Sequence, residues 1–269
     1  AQVAALGSAQ LGGLTSTQLN ALTAGQVAAI EVADLATLAT TRFAALSDAF
    51  FTALTSDQIA GLTSAQLATL KATQLAAIET ADLSALSPSA LAGLSTTQIR
   101  GLSTAQIQAL SSAQLAGLTT GQVQALTNSQ LAAIETADIA GLTTAQVAAL
   151  ATTQITGLTT GQVAALTTDQ VAAIENADLA AMDSAQLVAL TSAQVAALTT
   201  AQLGALTPAR LALLDTADIA ALTTAQIQAL GTAQWAAIES GDIASLTTAQ
   251  IVAMTTGQIA ALTTDQVSE

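Results

Sequence analysis

An eight-residue unit repeats through all 269 residues without one insertion or deletion. Thr143-Thr144-Ala145-Gln146-Val147-Ala148-Ala149-Leu150 is a typical copy, octads begin at residue 7 and at every eighth residue to 263, and residues 1–6 are the end of another copy. A unit this short buries too little apolar surface to fold alone. It gains stability only by stacking on its neighbours, so the chain is constrained to a quasi-one-dimensional array. The expected organisation is one continuous array over residues 1–269, a segment of a longer one.

The octad reads position by position as a helix start. Position one is Ser, Thr, Asp or Gly in 25 of 33 copies, and position four is Gln in 24 of 34. Thr-x-x-Gln ahead of apolar residues is a capping box, in which the hydroxyl accepts from the backbone N–H three residues on and the Gln side chain returns to the Thr N–H. Pro88 and Pro208 both fall at position two, the first helical residue, where proline forfeits no hydrogen bond. Positions five and eight are apolar in every copy. Three apart, they share one helix face and form the core stripe. Position seven is mostly Ala or Gly, with Gly at 13, 61, 93, 101, 117, 141 and 157. Small residues there imply close approach between neighbouring backbones.

The expected fold is therefore all-α: a solenoid or superhelix of very short capped helices, one per octad, each running from position two to position eight. Two rivals are weaker. A single long helix would rotate its apolar stripe by about 80° per octad and bury it against nothing. A β-solenoid, the main alternative, calls for period-two alternation and β-branched runs, which Gln-Val-Ala-Ala-Leu lacks.

Composition narrows the chemistry. There is no Cys and no His, which removes thiol and imidazole catalysis, disulfides and the usual zinc ligands. The net charge is −14, with Arg42, Lys71, Arg100 and Arg210 the only cations. Phosphate backbones and anionic membrane surfaces both need clustered basic residues, so nucleic acid is not an expected partner. Thr with Gln or Asp interrupts every apolar stretch well short of the ~20 residues a membrane-spanning helix requires. No nucleophile–base pair or Gly-rich phosphate loop is present, and the chain reads as no enzyme.

The systematic variant is an acidic octad. Each Asp at position four is accompanied by an acid at position one: Glu31/Asp34, Glu79/Asp82, Glu135/Asp138, Glu175/Asp178, Asp215/Asp218 and Glu239/Asp242. Acids in a first helical turn favour the helix dipole, which makes these pairs variant helix starts. The alternative is a cation site, with Ca²⁺ the ion suited to carboxylates. Two carboxylates fall short of the six to eight oxygens Ca²⁺ takes, so a neighbouring coil would have to supply the remainder. Among single departures, Trp235, Phe43 and Phe51 occupy position five, a core slot, whereas Phe50 replaces Gln at position four and is expected either exposed or covering a groove. Arg42 and Arg210 also stand at position four, placed to cap or to pair with acids.

Tandem Leu-Thr-Thr-x-Gln-[Val/Ile]-x-Ala-Leu units with interspersed Ala-Ala-Ile-Glu-Thr-Ala-Asp variants resemble the octapeptide-repeat regions of very large bacterial surface or secreted proteins, some of the RTX-adhesin type. The resemblance spans the whole chain and implies an extracellular or cell-surface stalk, fibre or adhesin segment. It carries over no catalytic residue. The Gly-Gly-x-Gly-x-Asp calcium nonapeptide of RTX proteins is absent. The leading expectation is a non-enzymatic structural array that forms a rod, stalk or self-assembling fibre by lateral or end-to-end association. The alternative is a binding module whose repeated face takes a glycan, a peptide or ice.

Overall fold

A computed structural model describes residues 3–268, apart from the Ala4 side chain. Described residues are helical or connecting, with no strand among them. The all-α expectation stands, and the β-solenoid finds no support. The chain divides into two compact units, residues 1–142 and 143–269. In both, almost every octad forms one helix of four to six residues, as in Thr63-capped Ser64–Thr69 and Thr199-capped Thr200–Ala205.

The capping box sets each start. In Thr63 the backbone N–H donates to Gln66 Oε1 at 3.0 Å, and the Thr63 hydroxyl accepts from the Gln66 N–H at 3.2 Å. Pro88 and Pro208 open their helices at the first helical residue, as their ring geometry favours.

Helix ends depart from expectation. The helix does not reach position eight. It stops between positions five and seven, and position eight is extended, with φ −66° and ψ 145° at Leu118 and −63° and 134° at Ile174. The next cap residue is extended as well. Two extended residues therefore form each bend. The same geometry recurs at Met254 and Leu262, to which no glutamine bonds, so the bend belongs to the octad itself. Where the chain continues, it leaves the position-eight carbonyl facing a side chain from the next turn.

That side chain is glutamine. Gln66 Nε2 donates to the carbonyls of Leu35 at 2.9 Å and Leu38 at 3.2 Å, residues 31 and 28 earlier. In the second unit, Gln202 Nε2 donates to Val171 at 2.9 Å and Ile174 at 2.7 Å. The glutamine at position four thus holds its own helix start with Oε1 and, with Nε2, the position-eight carbonyl four octads back together with the position-five carbonyl, or at Gln74 and Gln114 the position-six carbonyl, of the same octad. Helices also pack on those three octads away, such as Thr168–Ala173 on Ser192–Ala197 and Pro88–Ala92 on Ser112–Gly117. Within each unit the chain coils, and each turn closes between three and four octads.

The core is the expected stripe. From Leu11 to Trp235, every position-five side chain is at most 1% exposed. Position eight is buried throughout the interior of the array, and the ladder glutamines lie among these apolar groups. Position-seven residues approach the backbone of the turn below. A Cβ on Gly141 would stand 2.6 Å from Ser112 Cα, and one on Gly117 2.5 Å from Pro88 Cβ.

Two predictions follow from these contacts. Gln106 joins Ser103 N–H to the carbonyls of Leu75 and Ile78. Gln106→Leu strands buried partners that each cost ~1–3 kcal/mol, so chemical denaturation should show a loss of ~2–5 kcal/mol. Gln10→Leu, at the exposed N-terminal end where no octad lies 28 residues back, should cost less than ~1 kcal/mol. Equal losses would refute the ladder. Gly141→Ala should destabilise by ~1–3 kcal/mol through overpacking, whereas Gly121→Ala, with open space around it, should not lower the melting temperature.

Candidate functional site

The acidic octads are the one recurrent departure in the repeat. Aspartate is one methylene shorter than glutamine and has no N–H, so it cannot extend the ladder to the carbonyls four octads back. The structure gives it another partner. The carboxylate accepts from a Ser or Thr hydroxyl at position two of the octad three back: Ser8 to Asp34 at 2.6 Å, Ser56 to Asp82 and Ser112 to Asp138 each at 2.5 Å, Thr152 to Asp178 and Thr216 to Asp242 each at 2.6 Å. At Asp218 the equivalent hydroxyl, Ser192, acts to lower the carboxyl's pKa, and hydrogen bonds run within the octad, between Asp218 and Asp215. At Asp138 the Ser112 N–H donates too, at 2.9 Å, and the octad carries a 3₁₀ turn, Ile139–Gly141, in place of an α-helix.

The two acids of each octad lie in different surroundings. Glu31, Glu79, Glu135, Glu175, Asp215 and Glu239 are exposed at the cap position. Asp34, Asp178, Asp218 and Asp242 are buried, and Asp82 and Asp138 half-buried. The neighbouring coil brings a hydroxyl donor to each aspartate, which occupies one carboxylate oxygen. Among the described residues no three Asp or Glu side chains gather closely enough to hold a metal ion. The arrangement acts chemically as a set of charge-assisted cross-turn hydrogen bonds, stronger than neutral ones.

Asp218 shows the cost of such burial. Desolvation pushes its carboxyl above the usual carboxylate range, and the nearby Asp215 charge adds to this, while bonds from Ser192 and the Asp215 N–H pull the other way. A raised folded-state value means that the folded chain holds the proton more tightly than the unfolded chain. The stabilisation from this group is therefore complete below the ordinary aspartate value of 3.8, and it is lost as pH rises through the folded value.

Single departures resolve into variants of the ladder. Arg42 reaches the Gly12 carbonyl, and Arg210 reaches the Met182 carbonyl. Both lie at the separations glutamine uses, so arginine replaces its amide, and the expected pairing with acids is not what these side chains do. Phe50 is buried, neither exposed nor covering a groove. It packs edge-on against Phe51 at 6.1 Å, and Phe51 against Phe43 at 5.3 Å. Aromatic packing thus replaces one ladder bond. Trp235 is fully buried in its core slot, and its Nε1 has no partner. The residue that sequence reasoning undervalued is the position-four glutamine. Its capping role was legible, whereas its second bond joins residues far apart in sequence.

Capped helices of one octad each, joined by glutamines across successive turns, define a helical repeat protein with solenoid-like packing. The chain belongs to the ALTTAQ repeat family, which matches it in eight segments: residues 1–29, 27–64, 75–111, 98–128, 131–168, 171–208, 211–237 and 235–269. No curated protein matches it. Among the described residues no helix is long and apolar enough to cross a membrane.

Asp218→Asn keeps an acceptor for Ser192 and removes the buried charge. The variant should melt at a higher temperature than the parent at pH 7, and the gap should narrow as pH falls towards 4. Thermal melts at both values decide this, and an unchanged melting temperature at pH 7 would contradict it.

Proposed function

We propose that this chain is a non-enzymatic structural array that serves as an extracellular rod or stalk, spacing or projecting other parts of a large bacterial surface or secreted protein. The observation that carries the reading is the glutamine ladder. One residue type at one octad position donates to the position-eight carbonyl 28 residues back, from Gln58 to Gln130 in one unit and from Gln186 to Gln266 in the other. Such a scheme adds or loses whole octads with no other redesign, as length-setting elements require. Position five is consumed by the core, and the acidic octads satisfy their aspartates internally, which leaves the recurrent residues engaged in holding turns together. The surface setting rests on the likeness to RTX-adhesin-type repeat regions, and the net charge of −14 suits a solubilised exposed segment.

The test is to remove whole octads. Deleting residues 191–222, four octads, should shorten the particle measured by small-angle scattering while leaving the helical circular dichroism per residue unchanged. Deleting residues 191–194 breaks the register of caps and ladder and should unfold the neighbouring turns. A particle whose maximum dimension ignores the octad count would overturn the spacer reading. Protease shaving of intact source cells tests the placement: loss of the chain supports it, and full protection counts against it.

A further inference from the structure

Octad 87–94, in the interior of the first unit, has nothing at position four to fasten it to the preceding turn. The residue there is Ala90, a methyl group where the ladder needs an amide. Among the described residues the Leu62 carbonyl, 28 residues back, meets no donor, although Leu62 is buried. In the octads on either side the fastening is present. Ser56 bonds Asp82, and Gln98 Nε2 donates to the carbonyls of Leu67 and Leu70, each at 2.8 Å.

The two turns also stand apart at this place. Helices three octads apart pack on one another on both sides of it, Ser56–Ala60 with Thr80–Leu83 and Ala72–Ala77 with Thr96–Arg100. Between those pairs, Ser64–Thr69 and Pro88–Ala92 are not packed in this way. Position seven agrees. A Cβ on Gly61, Gly101 or Gly141 would collide with the residue 29 places back, Val32, Ala72 or Ser112. A Cβ on Gly93 would meet only the Ala90 and Ser89 carbonyls of its own octad, and nothing of Ser64. The following turn, by contrast, grips this octad closely. Gln122 Nε2 donates to Leu91 at 2.8 Å and to Leu94 at 2.6 Å, and Gly117 lies against Pro88.

We infer that the first unit carries a built-in seam between residues 63–70 and 87–94, where its coil opens before any other of its turns yields. Parting the turns at this octad breaks no position-four bond and little close packing, so it costs less than parting them at a fastened octad. Residues 87–94 move with the turn that follows, to which they are bonded. The second unit has a partial counterpart. Pro208–Leu211 is likewise not packed on Ser184–Val188, but Arg210 still reaches the Met182 carbonyl. Resting on the spacer reading, the seam gives the array a fixed place to yield when the parts it joins are pulled or bent.

Hydrogen exchange of the purified 269-residue chain, followed by mass spectrometry, tests it. Amide protection in residues 87–94 should be about tenfold below that in residues 103–110, an octad held by Gln106. Ala90→Gln supplies the missing amide to Leu62 and should raise protection in 87–94 about tenfold, leaving 103–110 unchanged. Ala90→Asp supplies the other fastening, since Ser64 stands 26 residues back at position two, and should protect in the same way. Adding Ser64→Ala to that variant should cancel its gain. Ala105→Gln, at an exposed position three, controls for an added glutamine and should protect neither octad. Equal protection of the two octads in the parent chain overturns the inference. So does a failure of both Ala90 variants to raise protection, or an equal gain from Ala105→Gln. None of these results touches the spacer reading, which stands or falls on particle length against octad count.

Discussion

One side chain holds the array together. The glutamine at position four is buried, and it uses both ends of its amide: Oε1 for its own helix start, Nε2 for carbonyls 28 and 31 residues back. Helices of four to six residues are too short to be stable from propensity alone. They persist because the groups a helix end leaves unsatisfied are met from the adjacent turn. At position eight the carbonyl would otherwise be a buried orphan. The extended geometry there turns it towards the incoming amide, and Met254 and Leu262 keep that geometry with no amide bonded to them, so the octad sets the bend and the glutamine uses it.

Substitutions at this slot show what the fold demands. Arginine retains a donor long enough to reach the carbonyls, as at Arg42 and Arg210. Phenylalanine at 50 gives up the bond and gains edge-to-face packing with its neighbour. Aspartate shifts to a partner 26 residues back, a hydroxyl in place of a carbonyl. Arginine and aspartate keep one turn fastened to the next, and the acidic octads are this alternative fastening, whereas Phe50 and Ala90 leave the slot without a cross-turn bond. It is less comfortable than the glutamine bond: at Asp218 burial opposes the charge that the hydroxyl supports.

The route from octad to function is therefore short. Bonding that repeats unit by unit builds length. It reserves the invariant positions for contacts between turns and leaves positions one, two, three and six largely to solvent. The fold also has polarity, since position four looks back and position five looks forward. The proposed spacer role needs the first property.

Much of this was local and so legible in the amino-acid sequence. Thr-x-x-Gln marked the caps, Pro88 and Pro208 marked the first helical residue, positions five and eight marked the core, and Gly or Ala at position seven marked backbone approach. All four depend on residues within one octad or on a stripe that repeats. What only the tertiary structure decided lies between residues 26 to 31 apart. That includes the closure of a turn between three and four octads, the second bond of the ladder glutamines, the hydroxyl partners of five of the aspartates and the burial of Phe50. A perfect repeat makes every octad an equally good partner for every other. The pattern alone could not choose among them, and the choice fell to the angle of the two-residue bend and the reach of one amide.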